Sequence, residues 1–126
     1  MTEEQENYLR TRYPKIFPQG TTDVYCDEGW FPIISLLCRN IQARIDWRPE
    51  IPQVTVAQIK EKFGELRFYY DGGDDYIGGM VTMAEAVSEI TCERCGDRGV
   101  LRQGGWLKVL CDEHHEERIK RKQNED

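Results

Sequence analysis

The sequence has no long apolar run. No stretch approaches the roughly eighteen consecutive apolar residues that a membrane-spanning helix needs. The opening stretch, MTEEQENYLR, is acidic and polar, whereas a signal peptide begins with basic residues and continues into an apolar core. The five cysteines make an odd number, which is unusual for a framework of disulfides in a secreted protein. These absences predict a protein that has no membrane association and resides in a reducing compartment, the cytoplasm.

The sequence also has few basic residues relative to its acidic ones. It carries 17 lysines and arginines against 23 aspartates and glutamates, a formal net charge of −6. Residues 1–91 account for the imbalance with 15 acids and 9 bases, whereas residues 92–126 hold 8 of each. Non-specific binding to nucleic acid requires several basic residues to neutralise phosphates, so residues 1–91 are not expected to bind it. Their acidic surface favours solubility and would suit a basic protein partner.

Histidine is scarce as well, and both copies lie in the stretch that holds three of the five cysteines. This stretch, residues 91–116, reads TCERCGDRGVLRQGGWLKVLCDEHHE. Cys92 and Cys95 form a C-x2-C pair, and Cys111 and His114 form a C-x2-H pair. Zinc takes thiolate and imidazole ligands in a tetrahedron, and each pair presents two such ligands from one short segment. The pattern predicts one structural Zn²⁺ held by three cysteines and one histidine.

The segments between and after the two pairs predict the architecture of this zinc module. Residues 100–102 and 106–110 are strand-like and flank a QGG turn. The stretch after Cys111 has no proline or glycine and runs from acids to bases, an order that the helix dipole favours. A turn, a hairpin and a helix that carries the second pair in its first turn form a treble-clef-like module. His115 could replace His114 as the fourth ligand, but His114 has the C-x2-H spacing.

The remainder of the chain predicts a body over residues 1–90, followed by the zinc module over residues 91–126. A capped start at Thr2 predicts a helix over residues 2–12, and apolar residues at helical spacing predict a second helix over residues 30–46. The buried face of a third helix is expected to comprise Ile77, Met80, Val81, Ala84 and Val87. The order helix, helix, hairpin, helix and zinc module is typical of the α+β class.

The predicted hairpin surrounds the sequence EKFG, between the second and third helices. With Lys60 opposite Glu65, the alternation of side chains along a strand assigns two faces. One face comprises Ala57, Ile59, Leu66, Phe68 and Tyr70. The other face is mixed in character and comprises Val54, Val56, Gln58, Arg67 and Tyr69. On this mixed face, Arg67 and Tyr69 are the candidate residues for binding a partner.

The chain lacks the residue pairs that nucleophilic catalysis needs. Cys26 and Cys38 lie outside the zinc module, and a catalytic cysteine requires a histidine base, yet both histidines belong to that module. We therefore expect that the protein is not an enzyme. One basic cluster on the last helix is suited to contacting phosphates, and its contacts with nucleic acid are expected to be weak. Its members are Arg118, Lys120, Arg121 and Lys122.

Three segments carry a resemblance to a known group of proteins. Together, GWFPII, QIKEKFGELRFYYDGGDD and the stretch over residues 91–116 resemble small zinc-binding proteins of tailed bacteriophages and prophages, a group without an assigned function. The resemblance implies a phage product that acts in the host cytoplasm. It also supports Cys92, Cys95, Cys111 and His114 as metal ligands, and it supplies no catalytic residues.

Three functional hypotheses follow from these observations. The first is a non-enzymatic phage accessory protein that binds and modulates a host or phage protein, for example as an inhibitor of a host defence system. The second is a nucleic-acid-binding regulator that uses the zinc module and its basic helix. The third is a protein that sequesters a small nucleotide signal, which would need a cationic pocket, and Arg67 and Arg44 are the sequence's candidates for one.

Overall fold

The computed structural model describes residues 1–20 and 23–124 and has the predicted α+β composition. Its helices are α1 (Glu3–Arg12), α2 (Phe31–Trp47), α3 (Asp75–Ser88) and α4 (Asp112–Asn124), and a short 3-10 turn covers Glu28–Trp30. Its strands are β1 (Val24–Tyr25), β2 (Thr55–Lys62), β3 (Glu65–Asp71), β4 (Val100–Arg102) and β5 (Lys108–Leu110). Among the described residues, no helix combines the length and the apolar character needed to cross a membrane.

The first two helices begin where the local sequence favours them. At the start of α1, the Thr2 hydroxyl accepts a hydrogen bond from the Gln5 backbone N–H at 3.1 Å, and the Gln5 side chain bonds the Thr2 backbone N–H in return. Pro32 occupies the first turn of α2, where its missing N–H has no partner to lose. The buried face of α2 comprises Ile34, Leu37, Cys38, Ile41 and Ile45. Both predicted helices are confirmed to within one residue at each end.

The turn of the β2–β3 hairpin is shorter than the sequence predicted. Lys62 lies opposite Glu65, and Lys60 lies opposite Arg67. The predicted pairing of Lys60 with Glu65 is therefore wrong by two residues. The turn consists of Phe63 and Gly64 alone, with φ angles of 54° and 82°. Two consecutive residues with positive φ are typical of the turn type whose twist matches that of the two strands.

A bulge in β2 changes which side chains reach the core. The register of β2 against β3 shifts between Val56 and Gln58, so the two-residue alternation is broken there. As a result Val54, Val56 and Ile59 are all buried. The predicted assignment of Val54 and Val56 to the mixed face was wrong because it assumed unbroken alternation.

The outer edge of β3 is covered by α3. The Leu66 N–H donates to the Ser88 hydroxyl at 3.0 Å, and the Phe68 N–H donates to the Glu85 carboxylate at 3.0 Å. Ser88 is fully buried, whereas Val87, which was expected on the buried face, is 38% exposed. The edge of the sheet is thereby closed to pairing with another strand.

The 3-10 turn holds the segment of the first predicted ligand pair, Cys92 and Cys95, against the body. The Gly29 N–H donates to the Glu93 carbonyl at 2.7 Å, and the Trp30 indole N–H donates to the Thr91 carbonyl at 2.9 Å. A further hydrogen bond joins the same two segments, since the Asp27 N–H donates to the Glu93 carboxylate at 3.0 Å. These contacts join residues on both sides of the predicted boundary between positions 90 and 91.

Candidate metal centre

The first ligand pair lies in a tight turn that its own backbone closes. The Gly96 N–H donates to the Cys92 carbonyl at 2.9 Å, and the Cys92 N–H donates to the Asp97 carbonyl at 2.7 Å. Gly96 has a φ angle of 85°, a conformation that glycine adopts without steric cost. The turn directs Cys92 and Cys95 toward one point, as the C-x2-C spacing predicts.

The second ligand pair lies where β5 passes into α4. Cys111 follows β5 directly, and His114 lies in the first turn of α4. The Cys111 sulfur accepts a hydrogen bond from the His114 backbone N–H at 3.5 Å. The Glu93 N–H donates to the Val109 carbonyl at 2.9 Å, which brings the turn of the first pair against β5. This contact with β5 places the second ligand pair beside the first.

The four side chains form one cluster. Their candidate ligand atoms, the sulfurs of Cys92, Cys95 and Cys111 and one ring nitrogen of His114, all lie within 4.8 Å of one another. The Cys95 and Cys111 sulfurs are 3.8 Å apart, and the Cys92 sulfur is 3.7 Å from His114 Nδ1. Two ligands about 2.3 Å from one tetrahedral ion stand about 3.8 Å apart. The donor set and its spacing therefore fit a single metal ion.

The surroundings of the cluster alter the pKa values of its thiols. Burial raises the pKa of Cys92, but hydrogen bonds from backbone N–H groups, that of Cys111 foremost, outweigh this effect and lower it to about 7. Desolvation and the neighbouring Cys92 and Cys111 sulfurs raise the pKa of Cys95 to about 12. Three crowded thiols do not all ionise together unaided, whereas a divalent cation would hold all three as thiolates.

The structure distinguishes the two adjacent histidines. His114 contributes Nδ1 to the cluster, and its Nε2 lies 4.0 Å from the Glu117 carboxylate, the kind of partner that orients a metal-binding imidazole. His115 lies outside the cluster, and its backbone N–H donates to the Cys111 carbonyl at 2.9 Å. The preference for His114 over His115 thus agrees with the arrangement of the side chains.

The remaining cysteines lie in the core of the body. Cys26 and Cys38 are both buried. Desolvation raises the pKa of each thiol to about 12, and the nearby Glu93 carboxylate contributes to the rise at Cys26. Such thiols are poor nucleophiles at neutral pH.

Arg67 and Tyr69, the predicted partner-binding residues, lie on the face of the sheet that points away from the core. Tyr69 is 41% exposed, and the Lys60 ammonium lies 5.8 Å from the centre of its ring. The Arg67 guanidinium is 3.4 Å from the Glu65 carboxylate. Arg44, the other candidate for a cationic pocket, lies on α2 and forms an ion pair with Asp74.

The Arg44 guanidinium donates to the Asp74 carboxylate at 2.9 Å and stacks over the Tyr76 ring at 4.1 Å. Asp74 also caps α3, since its carboxylate accepts from the Ile77 N–H at 3.0 Å. Arg44 and Arg67, the arginines considered for a cationic pocket, thus each already have a carboxylate partner.

An exposed apolar groove between α2 and α3 was not predicted. Its volume is about 360 Å³. It is lined by Pro32, Ile33, Leu36, Leu37, Asn40, Met80, Met83, Ala84 and Val87. Leu36 and Met83 are 55% and 65% exposed. The sequence contained one indication of this groove, namely that Leu36 and Met83 are large apolar residues that lie beside the buried stripes of their helices.

No protein-family model matches the chain, and neither a curated protein nor a solved structure matches it.

Proposed function

We propose that Cys92, Cys95, Cys111 and His114 hold one structural Zn²⁺ in a treble-clef-like module. Three sulfurs and one imidazole nitrogen are a donor set that zinc favours, and the spacing of the ligand atoms supports tetrahedral coordination. Four protein ligands leave no open position for a reactive water molecule, which supports a structural role.

Elemental analysis of the purified protein tests the zinc proposal. We expect about one zinc per chain, and Cys92→Ser should lose both the zinc and the folded module, because metal binding in isolated zinc modules contributes on the order of 10 kcal/mol to folding. A Cys26→Ser variant is the matched control, since Cys26 lies outside the cluster. Iron instead of zinc, or an unchanged melting temperature in Cys92→Ser, would contradict the proposal.

We propose that the protein is a non-enzymatic phage accessory protein that binds a host or phage protein in the host cytoplasm. The observation that carries protein binding is the apolar groove between α2 and α3, where a partner would bury the exposed side chains of Leu36 and Met83. The phage origin rests on the resemblance of the three sequence segments.

The chemistry of the groove points to an amphipathic helix as the partner's binding element. Asn40 is the one polar side chain in the lining, and its amide already donates to the Leu36 carbonyl at 2.8 Å. Recognition must therefore be apolar, as when a helix lays its hydrophobic face between two others. The net charge of residues 1–91 favours basic residues at the flanks of that partner helix.

A pull-down from infected host cells, read by mass spectrometry, would identify the partner, and binding would then be measured with the purified partner. We expect Met83→Glu to weaken binding at least about tenfold, or about 1.4 kcal/mol. Thr82→Glu is the matched control, because it adds the same charge to α3 outside the groove lining. If both variants and the native chain bound the partner with equal affinity, the groove would not be the binding site.

The same experiment tests the outward face of the sheet, where Arg67 and Tyr69 lie. If Arg67→Glu or Tyr69→Ala abolishes binding while Met83→Glu does not, the partner uses the sheet face instead of the groove. Each variant needs an unchanged melting temperature, so that loss of binding is separated from loss of folding. Regulation of nucleic acid, through the zinc module and its basic helix, and sequestration of a nucleotide stay as alternative functions.

A further inference from the structure

A cationic cavity lies beside the metal centre, between the tip of the β4–β5 hairpin, α4 and the turn of the first ligand pair. Its volume is about 310 Å³, at the lower end of the range for small-molecule sites. Five basic residues and one acidic residue line it, namely Arg94, Lys108, Arg118, Arg121, Lys122 and Asp27. The cavity shares no lining residue with the groove between α2 and α3.

Most of this positive charge is not paired with a carboxylate in the part of the chain that the structure describes. Lys108 pairs with the buried Glu93 at 3.4 Å. Within residues 1–20 and 23–124, the other four bases form no ion pair. Arg118 and Lys122 donate to backbone carbonyls of the hairpin tip, which accept hydrogen bonds but carry no net charge. An anion in the cavity would therefore meet positive charges that no carboxylate among the described residues compensates.

Among the side chains that line the cavity, Arg118 has a buried donor that lacks an acceptor. Arg118 Nη1 is inaccessible to solvent and has no hydrogen-bond partner, although the same guanidinium donates through Nη2 to the Trp106 carbonyl. Buried donors without partners are uncommon because leaving one unsatisfied is costly. A ligand phosphate would supply that acceptor once the guanidinium turned toward the cavity.

The hairpin tip adds an aromatic surface to the same cavity. Trp106 lines the cavity and is 82% exposed. Gly105 lies so close to α4 that a Cβ there would stand 2.4 Å from Lys122 Nζ. The carbonyls of Gly104 and Trp106 accept from the Lys122 and Arg118 side chains, which joins the backbone of the tip to α4. A base stacked on an aromatic ring next to bound phosphate is a recurring mode of nucleotide recognition.

We propose that this cavity binds a nucleotide. The guanidinium groups of Arg94, Arg118 and Arg121 hold the phosphate, since arginine presents paired N–H donors that match phosphate oxygens. The base stacks on Trp106. The volume accommodates one nucleotide, so the source is a free nucleotide or the 5′-phosphorylated end of a single strand. This site goes beyond the partner-protein proposal and does not depend on it.

Titration of the full-length, zinc-loaded protein tests the site. The probes are adenosine and guanosine mono- and triphosphates, inorganic phosphate, and a 5′-phosphorylated hexamer of thymidylate, at about 150 mM salt, where the screening length is about 8 Å. We expect at least one nucleotide to bind with a micromolar Kd. A hexamer that binds more tightly than every free nucleotide would support the site and assign it to nucleic-acid ends, whereas the reverse order would assign it to free nucleotides.

Two matched substitutions separate a site from general charge attraction. Arg121→Glu should weaken nucleotide binding at least about tenfold, whereas Lys120→Glu, the same charge change on the same helix outside the cavity lining, should weaken it less than about twofold. Trp106→Ala should weaken nucleotide binding but leave inorganic phosphate binding unchanged. The zinc content of every variant is measured, so that loss of the module is recognised.

Three results would overturn the proposal. The first is no binding of any probe by the native, zinc-loaded chain. The second is equal loss in Arg121→Glu and Lys120→Glu, which would mean delocalised attraction. The third is nucleotide binding that is no tighter than inorganic phosphate binding and does not respond to Trp106→Ala.

Discussion

At the scale of single residues, the five cysteines divide by environment. Cys92, Cys95 and Cys111 meet His114 in one cluster whose spacing fits a metal. Cys26 and the equally buried Cys38 lie in the apolar core, where desolvation raises their pKa to about 12. Residue type alone is therefore a poor guide to the pKa of a cysteine in this chain, because the buried Cys92 and the buried Cys38 are shifted in opposite directions by their neighbours.

We expect Cys26 and Cys38 to resist alkylation. At pH 8, a thiol with a pKa near 12 is ionised about a thousandfold less than free cysteine, and only the thiolate reacts. Iodoacetamide labelling of the folded, zinc-loaded chain, read by peptide mass spectrometry, should leave both unlabelled, whereas removal of the metal by a chelator should open Cys92, Cys95 and Cys111 to labelling because the module then unfolds. Labelling of Cys26 at the rate of glutathione in the folded chain would contradict this expectation.

His114→Ala should weaken zinc binding, and His115→Ala should not. His114 Nδ1 lies 3.1 Å from the Cys111 sulfur and 3.7 Å from the Cys92 sulfur, whereas His115 lies outside the cluster. Competition with a chromophoric chelator measures the difference. An equal loss of affinity in the two variants would mean that the ligand position can switch from one histidine to its neighbour.

At the scale of elements, side chains of α3 complete the sheet. The hydroxyl of Ser88 accepts from the Leu66 N–H and donates to the Glu85 carbonyl at 2.6 Å, and the Glu85 carboxylate accepts from the Phe68 N–H. Helical periodicity favours apolar residues on the buried face of α3. A serine is buried there instead, because the edge N–H groups of β3 need acceptors. The same contacts fix how α3 lies against the sheet.

Ser88→Ala should lower the free energy of unfolding by about 1–3 kcal/mol, because the Leu66 N–H would be left buried without an acceptor. Chemical denaturation measures the change. Thr82→Ala is the control, since Thr82 is an exposed residue of the same helix and its substitution should change stability by less than about 0.5 kcal/mol. Equal effects of the two substitutions would show that the hydrogen bond to β3 contributes nothing.

At the scale of the whole molecule, the metal-binding segment and the body meet through backbone at the 3-10 turn. A Cβ on Gly29 would lie 2.3 Å from the Cys92 carbonyl oxygen and 2.4 Å from that of Glu93. These are main-chain atoms, which cannot rotate away as a flexible side chain can. The absence of a side chain at Gly29 is therefore a condition for the docking of the metal-binding turn.

Gly29→Ala should destabilise the protein by about 1–3 kcal/mol, the usual cost of overpacking, because the turn of the first ligand pair must move away from the body. Gly79→Ala is the matched control. Gly79 lies inside α3 with open space at its Cβ position, so alanine there should stabilise by roughly 0.5–1 kcal/mol. Thermal unfolding measures both, and a Gly29→Ala chain as stable as the native one would refute the close contact.

Short-range features of the structure were predictable from the sequence. The cap at Thr2, the apolar stripe of α2 and the cap at Asp74 each depend on residues within a few positions of one another. The two ligand pairs are local in the same way. One turn positions Cys92 and Cys95, and one helix start positions Cys111 and His114. The sequence by itself therefore determined the helices and the four residues of the candidate metal centre.

Only the tertiary structure decided the features that join distant segments. The bulge near Val56 and the burial of Ser88 depend on how β2, β3 and α3 meet, and neither leaves a local pattern. The cationic cavity combines Arg94 from the first ligand turn with Arg121 from α4 and Trp106 from the hairpin tip. Residue type and spacing describe a chain along its length, whereas a cavity or a strand register is set by packing between elements, which depends on all of them together.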